Sequence, residues 1–204
     1  MTGVAAAASG SQYLWFISRG SGLVLLILFS VVVVLGVATR MGSAPRHVAR
    51  FAVAELHRTL SLFAVGLLAL HVVTAVLDPF VTIGWAAVFV PLASPYRSAA
   101  IGLGALAVDL AGAVLITSLI RSRLGYRAWK AVHWLAYLAW PVAFAHSLTA
   151  GNDLRIWWAA VIECFCAGLV CTAVTARLLA WRRARVASYQ GLSIPAEHRH
   201  LTRL

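Results

Sequence analysis

Five apolar runs, at about residues 14–38, 52–77, 99–120, 129–148 and 156–180, decide what this chain can fold into. Each approaches or exceeds the ~20 residues that a helix needs to cross ~30 Å of hydrocarbon. Backbone in that medium must satisfy its own hydrogen bonds, which a helix does along its length. The runs predict an all-α integral membrane bundle of five transmembrane helices. Charged residues make up 11% of the chain, against roughly a quarter in soluble domains, so a soluble domain is excluded.

The net charge of +11 raises the possibility of a nucleic-acid partner, but the cations form short clusters between apolar runs. Arg40, Arg46, His47 and Arg50 follow the first run. Arg121, Arg123, Arg127 and Lys130 follow the third, and Arg182, Arg183 and Arg185 the fifth. The opposite ends carry Asp78, Arg97, Asp153 and Arg155. Positive charge collects on the cytoplasmic side of a membrane, which places the N-terminus outside and the C-terminus inside. The partner that this pattern implies is the lipid membrane, with no nucleic acid.

Residues 80–95 are apolar but broken by Gly84, Pro91 and Pro95, and Trp85 and Tyr96 suit an interface. They are expected to form an interfacial segment between the second and third helices, after Asp78 and Pro79 stop the second. Residues 1–13 are expected to be disordered, 14–181 to form the membrane domain, and 182–204 to form a basic cytoplasmic tail whose His198 and His200 are not ligands. The first run lacks the basic start of a secretory signal and is expected to be retained. Cys164, Cys166 and Cys171 are expected to be small buried hydrophobes.

Four of the seven histidines lie inside these runs. An ionisable side chain in hydrocarbon is costly enough to mark a functional site. His57 and His71 are fourteen residues apart on the second run, and His133 and His146 thirteen apart on the fourth. Both runs travel from inside to outside, so His57 matches His133 in depth and His71 matches His146, the two levels ~20 Å apart. Fourteen residues return to within ~40° of the starting face, whereas thirteen miss it by ~140°. Pro141 is expected to distort the fourth helix and re-aim His146.

Two depth-matched pairs of imidazoles suit two axial haem irons, which pass electrons and leave no open coordination position. The rival class is a non-redox transporter whose histidines carry metal ions or protons. Four ligands spread over ~20 Å cannot close one tetrahedral metal site. Gly66, between His57 and His71, would let a macrocycle approach the backbone. Arg19, near the outer level, could pair with haem propionates. Arg58, Arg127 and Lys130 are candidates at the inner level. Asp109 and Glu163 share a depth near mid-membrane, as a proton path or as a protonated packing pair.

The spacing His57-x13-His71 with His133-x12-His146 resembles the ferric reductase-like transmembrane family, which includes ferric reductases, NADPH oxidases and the haem subunit of a periplasmic methionine sulfoxide reductase. Arg19-Gly-Ser-Gly22 and the stretch from Leu124 to His133 are similar to bacterial members. The resemblance covers about residues 14–180 and implies two haems b carrying electrons across a bacterial plasma membrane, with the four histidines as iron ligands. It implies ferric iron as acceptor, or alternatively a periplasmic or surface reductase or flavoprotein partner. No GxGxxG is present in the 204 residues, so the electron donor is expected on a separate flavoprotein dehydrogenase or quinol. The histidine that oxidases carry one turn past the outer ligand is replaced by Ala75.

Overall fold

A computed structural model describes residues 2–42, 49–151 and 156–192. Pro45, Arg46, His47, Asn152, Asp153, Arg155, His198 and His200 lie outside the described residues. Among those described there is no strand. The helices are α1 (Thr2–Met41), α2 (Arg50–Leu77), α3 (Ser98–Leu119), the single turn α4 (Arg121–Leu124), α5 (Tyr126–His133), α6 (Ala136–Ala150) and α7 (Trp157–Leu192), with a short 3-10 turn at Trp85–Val88.

Four helical segments are long and apolar enough to cross a membrane: Gln12–Met41, Arg50–Leu77, Ser98–Leu119 and Trp157–Val186. The fourth expected span is two pieces, α5 and α6, interrupted at Trp134 and Leu135, and neither piece is long enough by itself. Between 11% and 28% of each spanning window is buried, so most of its apolar surface faces outward, as lipid requires. α1 continues through residues 2–13, expected as a disordered tail. Ala5 to Ala8 explain this locally, alanine being the strongest helix former.

α1 is the central element. It packs along α2 and also meets α6 and α7, while α3 lies against α5 and α6. The core joins Leu26 and Val33 of α1 to Trp140 of α6 and Cys166 and Val170 of α7. Within it Trp140 Nε1 donates to Ser30 Oγ at 2.9 Å, and that hydroxyl donates to Leu26 O at 2.8 Å. Every buried polar atom of this pair therefore has a partner, as an apolar interior demands. Of the three thiols Cys166 alone is buried; Cys164 and Cys171 are exposed, which corrects the expectation for those two. They lie on the outward side of α7, where lipid rather than protein is the apolar surrounding.

α2 ends as its sequence dictates. Pro79 cannot continue a helix, and Asp78 is buried with Oδ1 accepting the Phe80 N–H at 3.0 Å, closing an Asx turn. The segment that follows holds only the 3-10 turn, too short to span.

The break in the fourth span changes its winding. Leu135, Tyr137 and Leu138 donate to the carbonyls of Val132, Trp134 and Leu135, each three residues back. Such residues advance ~120° rather than ~100°. Three or four of them add ~60–80° and recover about half of the ~140° by which His146 would otherwise miss the face of His133. The tightening precedes Pro141, which sits inside α6 and withholds the N–H that the Tyr137 carbonyl would otherwise accept. The site of distortion thus lies about one turn earlier than the proline itself.

Candidate functional site

The four histidines of the apolar runs meet in two pairs. The His57 and His133 rings have centroids 6.4 Å apart with planes at 75°, and the His71 and His146 rings are 6.5 Å apart at 80°. Two imidazole nitrogens each bound at ~2 Å to one metal ion, with ring centres ~1.1 Å behind, place those centres ~6.3 Å apart. Both pairs have that separation, and neither is a direct stack.

The nitrogens are sorted by their partners. Nδ1 of His57 lies 3.0 Å from Val32 O, Nδ1 of His71 2.9 Å from Ser18 O, and Nδ1 of His146 2.8 Å from Ala100 O. A carbonyl can only accept, so each Nδ1 carries the proton and donates. Nε2 is left with its lone pair free for a metal. His133 differs: its Nδ1 is buried with no hydrogen-bond partner, and its ring stacks on Trp129 at 4.9 Å.

Neighbouring helices bring these rings close through glycine. A Cβ on Gly36 would lie 3.2 Å from His57 Cε1, one on Gly22 3.0 Å from His71 Cε1, and one on Gly104 2.7 Å from His146 Cε1. Gly22 and Gly36 are fourteen residues apart on α1, the same interval as His57 to His71 on the antiparallel α2. One helix thus presents a glycine to each histidine of the other.

All four histidines line one continuous cavity of ≈ 1240 Å³. That exceeds the ~300–1,000 Å³ of ordinary small-molecule sites. Among the described residues, no group of three or more His, Cys, Asp or Glu side chains converges that could hold a metal ion. The donor set is two imidazoles at each level, which fits a square macrocycle supplying the other ligands of an iron rather than a bare ion held by protein alone.

The remaining sequence candidates divide. Arg19, Arg58 and Lys130 line the cavity; Arg127 does not. Arg19 also lies over the Trp15 ring at 5.2 Å, and Arg58 sits 3.9 Å from Glu55 on the exposed side of α2. Gly66 faces a separate shallow groove with Leu62, Phe63 and Leu70, and nothing lies within 4 Å of its added Cβ. The cradling glycines are Gly22, Gly36 and Gly104 instead. Asp109 and Glu163 are not brought together. Glu163 is 1% exposed and accepts the Ser147 hydroxyl at 2.7 Å, whereas Asp109 is exposed on α3.

Sequence reading passed over Arg177, a cation within α7 that lines the cavity. Its guanidinium donates to the Tyr137 hydroxyl and lies 4.5 Å over the Trp134 ring. Aromatic faces and a phenol oxygen are what an arginine needs when water is scarce.

Apolar helices enclosing paired imidazoles define a multi-pass membrane protein. Residues 21–144 match the family model described as ferric reductase like transmembrane component, over more than half of the chain. The chain belongs to that family, which makes it a membrane electron-transfer component. The matched span contains His57, His71 and His133 and ends two residues before His146. No curated protein and no solved structure matches the chain.

Proposed function

We propose that the chain is a di-haem b-type protein that carries electrons from a cytoplasmic or membrane donor to an acceptor outside, with ferric iron or its chelates as that acceptor. His57 and His133 hold the inner haem, and His71 and His146 the outer one. The observation that carries this reading is the repeated pair geometry, with ring centres at 6.4 and 6.5 Å. A haem held by two imidazoles supplies a one-electron couple with no vacant position on the iron.

The protein's own groups hold that arrangement. Val32 O, Ser18 O and Ala100 O fix three imidazoles with Nε2 available. Gly22, Gly36 and Gly104 leave room for the rings to lie against the neighbouring helices. Arg19 at the outer level and Lys130, Arg58 and Arg177 elsewhere along the cavity supply positive charge for propionates. In this reading α5 and α6 together make the fourth of five crossings, with the N-terminus outside. The donor is a separate flavoprotein dehydrogenase or quinol.

The test is a reduced-minus-oxidised absorption spectrum of the purified protein, followed by addition of a ferric chelate to the reduced form. The expected result is a b-type spectrum with a Soret band that reoxidises when chelate is added. A colourless protein would overturn the haem assignment and return the histidines to a transporter. A haem spectrum unmoved by chelate would overturn ferric iron as acceptor.

A further inference from the structure

Three of the four histidines meet the same two-part device. A glycine stands four residues after the carbonyl that accepts from the imidazole: Gly36 after Val32, Gly22 after Ser18, and Gly104 after Ala100. In a helix the side chain at position i leans back over the preceding turn. Glycine there uncovers the carbonyl at i−4, so one lone pair serves the helix and the other the imidazole.

The fourth histidine lacks the device. The packing that sets Gly104 against His146 runs α3 antiparallel to α5 and α6. His133 lies thirteen residues before His146, and Ser118 fourteen after Gly104, so the two come level. Ser118 thus stands where a glycine would be expected. Its hydroxyl donates to Val114 O at 2.6 Å, the carbonyl four residues back, and is the nearer donor there: Thr117 Oγ1 lies 3.3 Å from the same oxygen and 2.7 Å from Ala113 O. The Ser118 hydroxyl also accepts from Trp129 Nε1 at 3.3 Å, and the Trp129 ring stacks on His133. Carbonyl and hydroxyl are both engaged, and His133 Nδ1 is left buried without a partner.

Resting on the di-haem reading above, we infer that Ser118 is a positioning residue that makes the two haem sites unequal, by closing the Val114 carbonyl to His133. The outer iron then has two hydrogen-bonded imidazoles and the inner iron one. A hydrogen bond from Nδ1 raises the basicity of the ligand and favours ferric over ferrous iron. Its absence at His133 makes the inner haem the more easily reduced than its ligand set would otherwise allow, which suits the end of the wire that must accept an electron from a donor.

The experiment is a potentiometric titration of the purified full-length protein and its Ser118→Gly variant, following both haems, with His57→Ala and His71→Ala identifying which signal belongs to which site. Opening the Val114 carbonyl is expected to lower the inner midpoint by a tenfold change in the ferric/ferrous ratio, about 59 mV for one electron, and to leave the outer midpoint in place. Trp129→Phe keeps the stacked ring but frees the Ser118 oxygen to accept from His133, and should shift the same haem in the same direction. That variant decides the matter if Ser118→Gly does not accumulate. An inner midpoint unmoved in both variants, or inner and outer midpoints moving together, overturns the inference. Absence of haem from the unaltered protein would instead overturn the reading on which it rests.

Discussion

Adding one methyl group at Gly104 should cost the outer haem and spare the inner one. The new Cβ would lie 2.7 Å from His146 Cε1 and 2.9 Å from its Nδ1, where ordinary contact begins at 3.4 Å. The ring must therefore retreat by about 0.7 Å, which draws Nδ1 from Ala100 O and turns Nε2 off axis. Helix propensity works the other way, since alanine gains ~1 kcal/mol over glycine inside a helix. Against it stand overpacking at ~1–3 kcal/mol and a weakened hydrogen bond at ~0.5–1.5 kcal/mol. The net is a loss of about 1–3 kcal/mol in outer-site integrity, or roughly 5- to 150-fold in haem retention. The same substitution at Gly22, with 3.0 Å to His71, should have a smaller effect, and Gly36, with 3.2 Å to His57, the least. Haem per polypeptide and the resolved outer and inner bands of each variant give the order Gly104→Ala, Gly22→Ala, Gly36→Ala. Full and unchanged outer haem in Gly104→Ala, or an inner haem lost in its place, would refute the contact argument.

Imidazole planes at 75° and 80° should give both haems the highly anisotropic low-spin signal of near-perpendicular axial ligands in low-temperature electron paramagnetic resonance, and rhombic signals would show that the rings rotate on binding. Trp140→Phe removes the donor to the buried Ser30 hydroxyl and should destabilise the bundle by ~1–3 kcal/mol, seen as a lower Tm in detergent with haem content unchanged. Arg19→Gln removes a cation from the cavity wall and should lower the outer midpoint on the order of 20–60 mV while leaving the inner one, in a redox titration at low salt.

Four of the five spans and the side-by-side placing of the histidines are legible because both are one-dimensional signals. Hydrocarbon imposes a length on each helix, and two parallel-running helices put residues of equal offset at equal depth. The Asp78-Pro79 stop is legible for the same local reason. The glycine cradle is not, because Gly66 stands on the helix that carries His57 and His71, whereas the room beside those rings is made by the helix facing them. The signal lay in the sequence nonetheless: Gly22 and Gly36 repeat on α1 the fourteen-residue interval of His57 and His71. The break falls at Trp134 and Leu135 and not at Pro141, since a proline announces a missing N–H but not the turn in which the backbone tightens. Arg177 is not legible within an otherwise apolar run, because its partners are far away in sequence: Tyr137 at the start of α6 and Trp134 at the break before it.

Haem counted per polypeptide in the purified protein, in His57→Ala and in His71→Ala, tests the paired-imidazole assignment most directly. Two haems in the parent, falling to one in each variant with the other site's spectrum retained, is the expected result. One haem or none in the parent, or a single variant that empties both sites, would contradict two independent haems stacked across the membrane.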